Sequence, residues 1–241
     1  MGATLETAAW EKTGEDKRRA VRAMFAEIAD HYDIVNGLVS FQLHQAWRKA
    51  AVTAIGLDLG EKVLDVCCGT GDFCEAAAAC VGSEGQVVGV DFCAPMLRQA
   101  ARKVGGRARL GLADAMRLPF ASRSFDAVTV GWGLRNVPDP QAALREIARV
   151  LRPGGRFVSV DMARPTTPVI GPVAEAACHM AVPFVGRLFG HDEAYTYLPK
   201  SAYKFMDRDA LAAALNAAGI GQVQHQDFMF GNVCMMWGAR P

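Results

Sequence analysis

The chain predicts an α/β fold: a mostly parallel, doubly wound sheet with an antiparallel hairpin on its last edge. Three observations carry this expectation. Short β-branched runs alternate with helical stretches from Lys62 to Asp161, the pattern of repeated β-α units in a parallel sheet. The first run, Val63-Leu64-Asp65-Val66, leads into Cys67-Cys68-Gly69-Thr70-Gly71-Asp72, a glycine turn that opens an alanine-rich helix. Open α/β sheets prepare their ligand crevice in this way at the carboxyl ends of their strands. Finally, two apolar runs, 223–230 and 233–237, flank Gly231-Asn232 and read as a hairpin.

Taken in order, residues 15–55 read as helical, with Ala20, Met24, Phe25 and Ile28 on one apolar face. Strands are expected at 62–66, 86–91, 108–112, 125–130 and 156–161, and helices near 73–80, 95–104 and 140–151. Pro95 and Pro140 suit first-turn positions, where the missing N–H is not needed. Gly154-Gly155 is expected to end the last of these helices and turn the chain into a strand. A further helix, 209–218, stops at Gly219. Residues 162–206 carry Pro165, Pro168, Pro172, Pro183 and Pro199 and read as an irregular insertion overhanging the strand ends, a candidate lid and substrate pocket. The expectation is one domain over 1–241: a helical cap (15–55), a binding core (56–161), the insertion (162–206), and a terminal helix with hairpin (207–241).

Composition narrows the function classes. With 241 residues, 51% hydrophobic and 21% charged, the chain is long and apolar enough for a sizeable core. A net charge of +1 makes no electrostatic case for nucleic acid. The most apolar stretch, 169–189, is interrupted by Pro172, Glu175, His179, Pro183 and Arg187, so no spanning segment is expected. Glu6, Glu11 and Lys12 without an apolar run argue against a secretory signal, and Glu6 stands where a myristoylation motif wants Ser or Thr. The seven cysteines (67, 68, 74, 80, 93, 178 and 234) form no C-x-x-C pair, so no metal site is expected. They read as reduced core thiols of a cytoplasmic protein; a thiol-based activity such as arsenite methylation would use several of them. The run Lys17-Arg18-Arg19 with Arg22 reads as a solvated helix face.

The glycine turn admits a dinucleotide or a sulfonium nucleoside. Gly69 and Gly71 let the backbone approach a ligand closely. The third glycine of a G-x-G-x-x-G fingerprint is replaced by Cys74, and Asp65 and Asp72 make the loop acidic. An acidic loop repels phosphate and suits a cation that also carries an amino group, with Asp65 supporting the amino end. Val87-Val88-Gly89-Val90-Asp91 then ends a second strand in a carboxylate suited to a ribose diol. This favours S-adenosylmethionine over NAD.

Further motifs point to a family. His31-Tyr32-Asp33-Ile34-Val35-Asn36 with Ser40, His44 and Trp47-Arg48; Gly131-Trp132-Gly133-Leu134-Arg135-Asn136-Val137; Arg149-Val150-Leu151-Arg152-Pro153-Gly154-Gly155; and Tyr195-Thr196-Tyr197-Leu198-Pro199-Lys200-Ser201 together resemble the quinone C-methyltransferases of menaquinone and ubiquinone biosynthesis. The resemblance runs from about Phe25 to the C-terminus. It implies the class I, Rossmann-like methyltransferase fold with seven strands, and methyl transfer from S-adenosylmethionine to a ring carbon of a reduced prenylated quinone, with demethylmenaquinol the expected acceptor. It also implies cofactor contacts at Thr70, at Asp91 with Phe92, and at Asp114-Ala115 near the adenine. A further contact, usually Ser in the family, falls on Gly131, and Cys68 stands where many members have Gly; a Cys-Cys pair resembles the phylloquinone-type branch. A homodimer and a transient membrane-surface contact are compatible with the family.

A neutral quinol is a poor nucleophile. With a phenol-like pKa near ~10, its deprotonation at pH 7 costs roughly 4 kcal/mol. A fixed cation can offset much of this in a dry site. Arg135 is the candidate for that role, with Asn136 orienting it; the plainer reading pairs Arg135 with a carboxylate such as Asp161. Arginine itself hardly deprotonates, so the proton is expected to leave toward His44 or Asp114. Asn36, Ser40 and His44 share one face if their stretch is helical. Tyr32, Asn36, Tyr195 and Tyr197 are candidates for the substrate ring; each could equally be a packed structural residue. The apolar insertion 169–189 is the candidate access surface for the prenyl tail. The competing expectations are the same reaction on a ubiquinone precursor or demethylphylloquinol, methylation of another apolar molecule, a cofactor-binding accessory protein without turnover, and a dinucleotide oxidoreductase.

Overall fold

The computed structural model describes residues 11–165, 167, 171, 176, 180–184, 186–187, 189–190 and 192–241, side chains at 192 and 193 excepted. Three helices, α1 (Gly14–Ile28), α2 (Tyr32–Val39) and α3 (Leu43–Ala54), precede the sheet. The core then alternates β1 (Lys62–Val66), α4 (Asp72–Val81), β2 (Gln86–Asp91), α5 (Ala94–Val104), β3 (Arg109–Leu112), β4 (Phe125–Gly131), α6 (Pro140–Val150) and β5 (Leu151–Met162). Helices α7 (Asp192–Lys204) and α8 (Arg208–Ala218) lead to β6 (Gly221–Phe228) and β7 (Val233–Ala239). The sheet order is β3-β2-β1-β4-β5-β7-β6. Strands β1 to β5 pair in parallel, and β7 is antiparallel to both β5 and β6.

This topology positions the site. Strand order reverses between β1 and β4, and the crevice opens at the carboxyl ends on either side of that switch. The inner strands β1 and β4 are buried on both faces, which is why they read as continuous apolar runs. One apolar layer lies under α6 and α8, around Leu144, Ile147 and Leu215. The other lies under α3 and α4, around Trp47, Phe73 and Ala77.

Three expectations change. Helix α6 ends at Val150, before Gly154, and pairing with β4 already begins at Leu151. Gly154, at φ +75°, instead serves the register shift between the Phe125–Leu151 and Ala127–Arg156 pairs. The stretch 15–55 is helical in three segments, with Phe41 and Gln42, at left-handed φ of 51° and 63°, separating α2 from α3. Within 162–206, residues Asp192–Lys204 are helical despite Pro199. A mid-helix proline removes one N–H to a carbonyl four residues back; the burial of Tyr195 and Tyr197 on the same helix outweighs that loss. Much of the insertion proposed as an access surface, 169–189, lies outside the described residues. Finally, the hairpin strands stop at Phe228 and start at Val233, and Met229, Phe230 and Gly231 form a left-handed turn between them.

Five of the cysteines crowd the first two β-α units, and their size has a steric reason. A Cβ at Gly89 would lie 2.6 Å from Cys74 Sγ, 2.9 Å from Leu110 Cδ2 and 3.1 Å from Cys68 Sγ. Burial raises the thiol pKa of Cys67 above its ordinary value, and that of Cys68 is raised by its hydrogen bond with Cys74 and by burial. These are protonated packing groups rather than thiolates. Gly89→Ala is expected to overpack this layer and lower stability by roughly 1–3 kcal/mol, measured by urea denaturation, whereas Cys80→Ala should change it little.

Candidate active site

A cleft runs along the carboxyl ends of β1, β2 and β4, lined by Gly69, Asp91, Phe92, Asp114, Ala115 and Gly131 among others. Asp91 shapes it. Its Oδ2 accepts the Gly69 N–H at 2.9 Å and its Oδ1 accepts the Cys93 N–H at 2.8 Å. The carboxylate therefore pins the glycine turn from the neighbouring strand while facing the cleft. Nothing lies within 4 Å of a Cβ built on Gly69, so the turn leaves open space for a ligand. Gly71 does different work: its Cα faces Val104 and Ala100, allowing close approach of α5, and it is not among the residues lining the cleft.

One end of the cleft is polar. Asp65, Thr70, Asp72 and Arg48 line it, with Tyr32 and Gly131. Asp65 is fully buried, accepts from Thr129 Oγ1 at 2.9 Å and from Cys74 Sγ at 3.3 Å, and has its pKa pushed by burial to about 7. Beside it runs an ion network: Lys103 Nζ reaches Asp33 and Asp72 at 2.5 Å each, Arg48 Nη2 reaches Asp72 at 2.9 Å, and Thr70 Oγ1 donates to Asp33 at 2.6 Å. Burial alone would raise Asp72, but Arg48 and Lys103 together hold its pKa below the usual range.

A second cavity, about 1320 Å³ and largely apolar, opens beside the first between α2, α3 and the hairpin turn. Tyr32, Asn36, Ser40, His44, Arg48, Trp132, Arg135 and Phe230 are on its wall. The two cavities share Tyr32 and Trp132. His44 is buried, with Nδ1 2.6 Å from Ser40 Oγ. Ser40 Oγ donates its own hydrogen to Asn36 O at 2.6 Å, so Nδ1 carries the proton and Nε2 is left as the basic nitrogen, 3.2 Å from the Gln45 amide. Burial and then Arg48 lower the His44 pKa, so the ring is neutral near pH 7.

The other candidates fall into three groups. Arg135 lines the apolar cavity but pairs with Asp161, donates to Trp132 O at 3.0 Å, and has Nε 3.3 Å from Ser201 Oγ; this is the plainer reading of the sequence. Asn136 does not contact the guanidinium in these hydrogen bonds: its Nδ2 donates to the same Trp132 O at 2.9 Å and its Oδ1 accepts from Tyr197 OH at 2.9 Å. Tyr197 therefore supports Asn136, and burial raises its pKa to about 12. Tyr195 lies within a cluster with Ile28, Val35 and Met96, its hydroxyl unpartnered among the described residues, and is not on either cavity wall.

Sequence reasoning missed Arg48, Trp132, Arg18 and Lys103. Of the run read as a solvated face, Arg19 and Arg22 are exposed and fit. Lys17 Nζ donates to Arg135 O at 2.9 Å and Val137 O at 3.1 Å, and Arg18 lines the cleft and pairs with Asp114 at 3.2 Å. Charge runs look alike in sequence whether or not a sheet edge lies beneath them. The Gly131 departure has a local cause: a Cβ there would lie 2.8 Å from the Phe73 ring.

Residues 11–240 match the model of the ubiE/COQ5 methyltransferase family. The demethylmenaquinone methyltransferase of Desulfitobacterium hafniense is 39% identical, covering 95% of this chain and 93% of that protein. The one from Lactiplantibacillus plantarum is 41% identical, covering 91% and 95%. Among solved structures, a SAM-dependent methyltransferase from Thermotoga maritima shares the fold with a TM-score of 0.66 at 19% identity, covering 91% of this chain and 99% of that one. One from Aquifex aeolicus gives 0.63 at 18%, covering 87% and 98%.

Asp65 has a consequence for stability. Its folded pKa lies above its unfolded one, so the folded state binds the extra proton and stability falls as pH rises from ~4 to ~7. Asp65→Asn keeps an acceptor for Thr129 and is expected to flatten that fall in the ligand-free protein. The gain above pH 7 is at most about 4 kcal/mol, checked by urea denaturation at several pH values; an unchanged profile would show that Asp65 ionises normally.

Proposed function

The chain belongs to the ubiE/COQ5 methyltransferase family, and from that premise we propose that it catalyses S-adenosylmethionine-dependent C-methylation of a reduced prenylated quinone, converting demethylmenaquinol to menaquinol. The observation that carries this reading is the junction of a strand-end cleft, polar at one end, with a large apolar cavity, the two sharing Tyr32 and Trp132. The cleft suits the methyl donor. Open space over Gly69, the buried carboxylate Asp91 for a diol, and Asp65 near an ammonium group fit its parts, while the acidic turn disfavours a pyrophosphate. S-adenosylmethionine, when bound, supplies a sulfonium methyl for an electron-rich ring carbon.

The protein's task is then to hold the quinol as its anion, dry, against the wall formed by Tyr32 and Trp132. His44 Nε2 takes the hydroxyl proton, directly or through water, since its neutral tautomer is held by Ser40. Arg135 supplies positive charge at the cavity wall. Asp161 offsets part of that charge but fixes the guanidinium, and a fixed dipole costs no reorganisation as the anion forms. Asn136 and Tyr197 brace the Trp132 carbonyl that Arg135 also grips.

The cavity mouth is unusually apolar. Phe41 is 79% exposed and Phe230 58%, both line the cavity, and Ile34, Leu38, Met180 and Phe184 are exposed as well. No helix among the described residues is long and apolar enough to cross a membrane. Our reading is that this rim dips into the bilayer and lets the prenyl tail enter from the lipid.

The direct experiment incubates the protein with S-adenosylmethionine and chemically reduced demethylmenaquinone in detergent and follows the quinone by mass spectrometry. Gain of one methyl is expected; none, with donor binding intact, would point to another acceptor. Arg135→Lys is expected to cut kcat roughly a hundredfold with little change in donor affinity; full turnover would refute the role given to Arg135. Phe41→Ser with Phe230→Ser should reduce vesicle co-sedimentation and raise KM for long-tailed quinols about tenfold or more. Equal losses on short-tailed quinols would count against membrane docking.

A further inference from the structure

Arg48 has no role in the reaction as derived above, yet it is the one cation on the wall of the polar end of the cleft, among the described residues. It is 5% exposed and lines the apolar cavity too. Nη2 pairs with Asp72, Nη1 donates to His44 O at 3.2 Å, and Nε–H has no acceptor among the described residues. Its guanidinium carbon lies 4.5 Å from the Trp132 ring centroid. Buried donors are nearly always satisfied, so an orphan on a binding wall asks for a partner that arrives with the ligand.

Asp72 does not explain the residue. Lys103 already reaches that carboxylate at 2.5 Å, and Lys103 itself is engaged by Asp33, Asp72 and Thr70 and is absent from the cleft wall. With Lys103 also on that carboxylate, Asp72 does not depend on Arg48 alone for its counter-charge, and Arg48 is the cation that meets the cleft. Around it stand Asp65 and Asp72, with Asp33 behind, so a ligand group with a negative charge would be repelled here unless a cation received it. A planar guanidinium with free N–H donors matches a carboxylate better than an ammonium does.

We propose that Arg48 binds the α-carboxylate of the methionine moiety of S-adenosylmethionine, opposite Asp65, which takes its ammonium. The polar end thereby recognises a complete zwitterion: one acidic and one basic side chain, both buried, on elements that Asp72 ties together. Trp132, stacked on the guanidinium, lines both the cleft and the apolar cavity, so donor binding at Arg48 would also bear on the wall against which the quinol lies.

This inference rests on the assignment of S-adenosylmethionine, and calorimetry separates the two. The ligands are S-adenosylmethionine, its decarboxylated form, and 5′-methylthioadenosine, which lacks both the amino and carboxylate groups. Arg48→Met is expected to weaken S-adenosylmethionine about 10- to 100-fold while leaving the other two within about threefold of the unaltered protein. Arg48→Lys keeps a charge beside Asp72 and guards against a folding failure; it should show a smaller loss with the same selectivity. Equal weakening of all three ligands would make Arg48 a purely structural partner of Asp72, and unchanged affinities with a raised quinol KM would assign it to the acceptor; either overturns the proposal. An unaltered protein that binds none of the three would overturn the cofactor assignment instead.

Discussion

The buried carboxylate of Asp72 is the constraint on which the site depends. It sits at the first turn of α4, directly after the glycine turn, and holds cations from two other helices, Arg48 of α3 and Lys103 of α5. Lys103 passes the link to Asp33 of α2, and Asp33 accepts from Thr70 in the turn. This buried network ties α2 and α3 of the helical cap to the glycine turn by charge, while α1 is tied separately through Arg18 and Asp114. Breaking one member of such a buried pair leaves an uncompensated ion and costs about 3–5 kcal/mol, far more than a surface bridge like Arg19–Asp16 contributes. The cap must close over the strand ends for either cavity to exist, so the fold's electrostatics and the site's geometry are one problem.

Strain gathers at the same place. Eight described non-glycine residues have left-handed φ, and five of them, Phe41, Cys67, Trp132, Met229 and Phe230, line the cleft or the adjoining cavity. Each such residue costs on the order of 1–3 kcal/mol and persists only where its surroundings hold it. Trp132 is held through its carbonyl by Arg135 and Asn136 and through its ring by Arg48. Phe41 and Phe230 are carried outward by tight turns and line the same cavity. The backbone gives up local stability to place aromatic rings between donor and acceptor and at the edge of the acceptor cavity.

Much of this was readable from residue patterns. Strand periodicity, proline at helix starts and the glycine turn located the first four strands within a residue or two, because those signals are local, while β5 begins five residues before its expected start. Asp65 and Asp91 were found because the carboxyl ends of strands lie at the crevice, and Asp114 through the family resemblance. The misses were all relations between distant segments. Arg48 stood inside a quoted motif and went unassigned, since nothing in its neighbours reveals that Asp72, Trp132 and Phe73 surround it. Tyr195 and Tyr197 are two residues apart on one helix; one enters a packed cluster and the other braces Asn136. Pro199 looked like a breaker because the compensating burial comes from elsewhere in the chain.

The sequence by itself determined the order of elements, the ligand-binding end of the sheet, and the acidic character that selects a cationic ligand, because each follows from periodicity and chemistry within about ten residues. Tertiary structure alone decided which charges face the ligand and which are spent on each other. Arg135 is paired with Asp161, Asp72 is shared by two cations, and Arg48 keeps a donor unpaired. Ion pairing and burial depend on distance in space, and the partners here lie tens of residues apart, where a pattern in the chain carries no record of the contact.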